Sequence, residues 1–148
     1  LVLMCGDFIR EDAKPEWNAM LDVLATAIVY AANPPIHRSI GLNVTTQVKM
    51  DKQQMEKNFV AKVLAPVRSF ADVWFEQKEF MMYHDPLAVM TMFDDKVCTF
   101  KKGSASVVFP GAPEAGKILF NEGKGTIEVA DSVNVEYALN KYFEVVNS

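Results

Sequence analysis

Two short polar clusters could do chemistry: Glu16-Trp17-Asn18 and His84-Asp85-Pro86. A histidine titrates near neutral pH and can protonate a leaving group. A carboxylate is the hard oxygen ligand that calcium takes. At a helix N-terminus, His84 and Asp85 would set a proton donor beside a metal ligand. The same letters fit a plain helix start, with Asp85 as N-cap, Pro86 as first helical residue and His84 on the surface. Glu16 and Asn18, two apart, point the same way from an extended segment. Such a pair suits the vicinal hydroxyls of a sugar, with Trp17 as an apolar wall. Equally, Asn18 fits as the cap of the helix that follows, with Glu16 solvated.

The other polar residues carry blander readings. Asp22 fits a cap better than a ligand, His37 is structural at a strand start after two prolines, and Asp94-Asp95 is a solvated helix end. Met81, Met82, Met90 and Met92 fit core filling rather than a cofactor site. Cys5 and Cys98 lack metal-type spacing and read as reduced core thiols. No phosphate-binding loop, dinucleotide glycine pattern or serine elbow occurs.

Elements must position these clusters. The chain has 148 residues, enough for one domain with a real core, and is half apolar and 23% charged. Its net charge of -4 and the absence of a basic stripe beyond Lys101-Lys102 argue against nucleic acid and anionic membranes. No apolar stretch is long enough to span a bilayer, and no signal peptide pattern is present, which points to the cytoplasm. Leu1-Val2-Leu3-Met4 reads as a buried strand and suggests a piece of a longer protein.

The pattern predicts a strand over residues 1 to 5, a polar loop to Pro15, a helix over 19 to 32 and a strand over 37 to 44. Helices follow over 51 to 65, from Pro66 with Phe70, Val73, Trp74 and Phe80 as its apolar stripe, and from Asp85 to about Phe93. Residues 97 to 130, rich in glycine, read as strands or hairpins, with 126 to 129 firmest, and 134 to 146 as a closing helix. Alternating strands and helices in the first half imply an α/β layout.

Taken in order, LVLMCGDF, PEWNAMLDVLA, IGLNVTTQV, YHDPLAVMTMFDD and GTIEVADSVNVEYALNKYF resemble the second half of the inosine–uridine preferring nucleoside hydrolase family. The family shows a Met-Gly-Gly strand end, a Glu-Phe-Asn segment leading into Asp-Pro-Glu-Ala-Ala, a Leu-Asp-Val-Thr strand and a His-Asp-Pro/Ala helix start. The resemblance covers nearly the whole chain and is weakest over 97 to 125. It implies the C-terminal part of a Rossmann-like α/β hydrolase fold, a mixed sheet with flanking helices. Residues 1–148 would form a single domain, a portion of a longer hydrolase domain.

The resemblance also implies roles. Glu16 and Asn18 match residues that hold the ribose hydroxyls, Met4 one that lines the ribose site, and Trp17 an aromatic near the sugar. His84 matches the residue that protonates the departing base, and Asp85 a calcium ligand. The implied reaction splits a nucleoside into base and ribose: a calcium-bound water attacks the anomeric carbon through an oxocarbenium-like state. Relatives are dimers or tetramers.

Departures are equally visible. The family's Asp-rich motif, which supplies most calcium ligands and the general base, is absent, and Asp85 alone cannot hold an ion that takes six to eight oxygens. The strand end reads Met4-Cys5-Gly6, with one glycine lost, and residues 7 to 15 lack the ribose-contacting asparagine. Asp22-Val23-Leu24-Ala25 loses a proline and a glutamate, and Asn134 replaces a common aspartate. Two expectations result: part of an N-ribohydrolase in which Glu16, Asn18, His84 and Asp85 converge on one cleft, or a truncated, non-catalytic relative that binds ribosides or pairs with another subunit.

Overall fold

The computed structural model describes residues 1–8, 12–32 and 34–148. Strands β1 (Val2–Met4), β2 (His37–Ile40), β5 (Cys98–Val107), β6 (Ile118–Glu122) and β7 (Ile127–Val133) build one mixed sheet among the described residues, in the order β1-β2-β7-β5-β6. β1, β2 and β7 run parallel, while β5 and β6 pair antiparallel. A small antiparallel pair, β3 (Lys49–Met50) and β4 (Met81–Met82), lies outside it. The expected α/β class with a mixed sheet and flanking helices is what the chain adopts.

Side chains alternate across the sheet, so each face has its own core. Leu3, Tyr30, Val129 and Ile127 pack on one face with Cys5 and Phe8. Ile40, Val44, Met55, Leu87, Val97 and Ala130 fill the other, with Val2 and Met4 against them. The expectation of buried, reduced cysteines holds: Cys5 and Cys98 are free and buried.

The helices differ from expectation where side-chain caps intervene. The single helix expected over 19 to 32 is two, α1 (Trp17–Leu21) and α2 (Val23–Ala31). Asp22 divides them by leaving helical geometry and accepting the Ala25 N–H at 2.8 Å, so the cap reading of Asp22 was right. The strand expected over 37 to 44 stops at Ile40, and Gly41 opens a short helix, α3 (Leu42–Thr45). The helix expected over 51 to 65 ends early as α4 (Lys52–Asn58), closed at its start by a reciprocal Asp51–Gln54 capping box. A 3-10 turn over Lys62–Leu64 leads into α5 (Ala65–Trp74), with Pro66 in its first turn.

The apolar stripe of α5 turns outward: Phe70, Val73 and Trp74 are exposed, and Ala71 is the helix residue that is buried. Phe80 lies beyond the helix, just before β4. In α6 (His84–Met90) the cap is Tyr83, so His84 is the first helical residue, and neither Asp85 as N-cap nor Pro86 as first residue is borne out. The strands expected over 97 to 130 and the closing helix, α7 (Val135–Val146) with Asn134 as cap, are present. Within the expected loop, residues 9 to 11, and Asn33 of Asn33-Pro34-Pro35, lie outside the described residues.

Arg38 ties the middle of the sheet to the end of α6. Its guanidinium donates to Glu128, Asp95 and the Thr91 carbonyl, each at 2.7 Å, and covers the Phe100 ring. Replacing it with methionine keeps the apolar stem but strands the Glu128 carboxylate and the carbonyl. Arg38→Met is expected to cost about 2–3 kcal/mol in denaturant unfolding. Asp95→Asn, at an exposed carboxylate, is expected to cost about 1 kcal/mol or less.

His37 is fully buried at the start of β2, against the Tyr30 ring, and among the described residues neither ring nitrogen has a hydrogen-bond partner. Burial holds its pKa below the ordinary 6.5. The unfolded chain therefore binds the proton first as pH falls. The folded state is at full strength above about 6.5 and weakens below it. Denaturation midpoints measured from pH 7.5 to 5 should fall, and His37→Leu should flatten that slope.

Candidate active site

Glu16 is the cap of α1 rather than a solvated residue, and Asn18 is not the cap. Its carboxylate is 3% exposed, and it accepts three backbone N–H groups: Asn18 at 2.9 Å, Ala19 at 3.2 Å and Gly6 at 3.3 Å. Two of these are free donors of a helix N-terminus, which favour a negative charge. The third comes from the turn after β1, so one carboxylate joins helix to strand. Gly6 has φ +90°, and a Cβ there would run into the Phe8 ring, so glycine is required at the turn.

Asn18 reaches back along the same junction. Its Nδ2 donates to the Met4 carbonyl at 3.1 Å and lies 3.4 Å from the Met4 sulfur. Met4, Glu16 and Asn18 therefore meet at the C-terminal end of β1. Trp17, between them in sequence, stands exposed on α1. The Cys5 thiol is pushed up to about 12 by burial and by the Glu16 charge beside it.

His84 sits half-buried at the start of α6, which packs on β1. Its Nδ1 lies 2.8 Å from the Thr45 hydroxyl at the end of α3. Burial lowers the imidazole pKa below 6.5, while the charges of Asp85 and Glu16 oppose that shift. The Glu16 charge is thus felt at His84, across the 68 positions that separate them in the chain. His84 also lines a groove of about 670 Å³ walled by Phe70, Trp74, Phe80, Met81 and Met82. The outward stripe of α5 is one wall of that groove.

Asp85 follows on the exposed side of the first turn of α6. Among the described residues no group of three or more histidine, cysteine or carboxylate side chains converges to hold a metal. The donors present do not fit a calcium ion, since Asp85 offers one carboxylate to an ion that takes six to eight oxygens. Asp94, expected as solvated, accepts the Tyr137 hydroxyl at 2.6 Å, and Asp95 pairs with Arg38.

Sequence reasoning did not find Thr45. Its partner is 39 positions away, and the expected strand ended at residue 44; the one local signal was the match of Leu42-Asn43-Val44-Thr45 to the family's Leu-Asp-Val-Thr strand. Nor did it find the turn amide of Gly6 as a partner of Glu16, although the glycine itself was visible.

The opposing influences on His84 give a signed test. Asp85→Asn and Glu16→Gln each remove a charge that raises the imidazole pKa. Both variants should titrate at lower pH than the parent when His84 is followed by NMR, with the same sign; Asp85→Asn, at an exposed carboxylate, should do so without change in fold, while Glu16→Gln should also loosen the junction of β1 and α1.

The description "inosine-uridine preferring nucleoside hydrolase" belongs to a family model that matches residues 1–140. Among solved structures, a plant nucleoside hydrolase superposes with a TM-score of 0.76 at 18% identity, covering 98% of this chain and 52% of that one. A purine-preferring ribonucleoside hydrolase from Gardnerella vaginalis superposes with a TM-score of 0.77 at 22% identity, over 98% of this chain and 51% of its own. An inosine–uridine preferring nucleoside hydrolase from Bacillus anthracis gives 0.64 at 20% identity, over 99% and 48%. A search of curated protein sequences gives no match. The chain spans about half the length of these solved relatives. With residues 1–140 of this chain matched by the family model and the same fold in these structures, the chain is a member of the inosine–uridine preferring nucleoside hydrolase family.

Proposed function

We propose that this chain is part of a nucleoside N-ribohydrolase and carries the ribose-binding and leaving-group side of its site. The observation that supports the reading is the strand end that gathers Met4, Glu16 and Asn18, with α6 packed on the same strand, although Met4 and Asn18, His84, and Asp85 line three separate grooves. His84, at the head of α6, opens on an apolar, aromatic-walled groove. A ribose held by Glu16 and Asn18 would accept and donate hydrogen bonds at its hydroxyls, against Met4, with Trp17 beside it. A planar base suits the groove walled by Phe70, Trp74 and Phe80. As the bond from anomeric carbon to base nitrogen lengthens, charge builds on the departing base, and His84 gives it a proton. Thr45 fixes the ring through Nδ1 and leaves Nε2 to face the base.

Calcium is expected from the resemblance, with Asp85 as one ligand. The other ligands, and the water-activating base, would come from outside the described residues of this chain. The substrate would be a nucleoside, and the assembly a dimer or tetramer in the cytoplasm. Among the described residues no helix is long and apolar enough to cross a membrane. The sequence departures at Asp22-Val23 and over residues 7 to 15 favour one second reading: a non-catalytic member that binds ribosides or serves as an interaction subunit.

Ribose release separates the two. In a complete hydrolase containing this chain, His84→Ala should lower kcat by about 10²–10⁴-fold. With the acid form of His84 required, kcat/KM should fall as pH rises through the His84 pKa, below 6.5. The chain alone, given calcium and inosine or uridine, should release no ribose. An unchanged kcat in His84→Ala would end the leaving-group role. Riboside binding without turnover in every assembly would favour the second reading.

A further inference from the structure

The helix α2 is built inside out. Its sequence, VLATAIVYA, is rich in apolar residues, yet the residues it buries are Thr26 and Tyr30. Leu24 and Ile28 stay exposed. A surface helix ordinarily turns its apolar stripe to the core, so a buried face made of a hydroxyl and a phenol needs a reason of its own. Asp22, Thr26 and Tyr30 follow one another at single-turn spacing. All three line a groove of about 230 Å³ beside Met4, Cys5 and Asn18.

The two buried residues make defined ties. The Thr26 hydroxyl bridges the break at Asp22, sharing its proton between the Asp22 carbonyl at 2.8 Å and the Ala19 carbonyl of α1 at 3.3 Å. Ala19 is fully buried, and its own N–H donates to Glu16 at 3.2 Å. One residue of α1 thus connects Thr26 to the Glu16 carboxylate. A helix of five residues has too few internal bonds to hold itself, so α1 takes its place from these ties. Tyr30 fixes the far end of α2: its hydroxyl lies 2.7 Å from Ser39 Oγ, and Ser39 is the register partner of Leu3 in β1. Cys5, next after Met4, shares a core with Tyr30 and Ala19.

We propose that Thr26 and Tyr30 are positioning residues for the sugar-binding turn of α1. Tyr30 anchors α2 to the sheet, and Thr26 carries that anchor to Ala19, so that Glu16 and Asn18 keep a fixed place over the end of β1. Two vicinal hydroxyls demand a fixed spacing of their partners, and a small displacement of α1 loses both contacts together. This role rests on the ribose reading of Glu16 and Asn18 given above and adds the parts that hold them. Neither the Thr26 hydroxyl nor the Cys5 thiol has a counterpart in the family's Asp-Pro-Glu-Ala-Ala and Met-Gly-Gly segments, so the brace belongs to this chain and not to the pattern.

The test measures binding of inosine and uridine, each beside its dideoxy analogue that lacks both vicinal hydroxyls. Calorimetry is run on the complete assembly containing this chain, in a His84→Ala background that slows turnover. Preference for the riboside reads the Glu16–Asn18 pair, and affinity for the analogue reads everything else. Thr26→Val removes the shared proton and keeps the β-branch. It should lower the preference about 10-fold and change the analogue's affinity by no more than about twofold. Thr26→Ser keeps the proton and should restore the preference, while Tyr30→Phe should lower it. In this chain without ligand, NMR signals of the Gly6 amide and the Asn18 side-chain amide should shift in Thr26→Val and in Tyr30→Phe; should the valine variant not fold, the phenylalanine variant decides. Equal weakening of riboside and analogue would overturn the positioning role, and so would unmoved Gly6 and Asn18 signals. A parent that binds riboside and analogue alike would end the ribose reading itself, and this role with it, whatever the amides show.

Discussion

The arrangement hangs on one buried carboxylate. Glu16 accepts the turn amide after β1 and two amides at the head of α1. Burying an ionised group is costly unless hydrogen bonds replace the water it loses. Satisfying Glu16 therefore sets the distance between strand end and helix start, and with it the place of Met4 and Asn18. The Asn18 side chain then closes on the Met4 carbonyl at the strand end. His84 is placed independently, by α6 lying on β1 and by the Thr45 hydroxyl, yet it arrives within reach of the Glu16 charge.

Much of this was legible before any coordinates, for identifiable reasons. The strand character of residues 126 to 129 and the closing helix after Asn134 rest on periodicity and a cap, both local signals, and both are present. The split of the helix at Asp22 was half visible, because the residue reads as a cap while the apolar run continues through it. What stayed hidden depends on partners distant in the chain. Gly6 with Glu16 and Thr45 with His84 are tertiary pairs that no window of sequence contains. The reversal at α5 has the same origin. Its apolar stripe has clear helical spacing, but spacing gives a face and not the neighbour it meets. At α6 the cap was misplaced by two residues: an Asp-Pro pair is good at several positions of a first turn, so the pair alone does not choose among them.

The chain also shows how a family resemblance and a donor count can point in different directions without conflict. The match runs through residue 140, while several of the acidic side chains are spent on structure. Glu16 and Asp22 cap helices, Glu128 and Asp95 hold Arg38, and Asp94 anchors Tyr137. Carboxylates committed in this way are poorly placed to gather around a divalent ion.

The two thiols carry a practical consequence. Cys5 and Cys98 lie in opposite cores, and burial pushes each up to about 12. At neutral pH almost no thiolate exists to attack an alkylating or oxidising reagent. Native chains should stay unmodified for as long as both sheet faces remain closed, and any cysteine that acquires a label records which face opened.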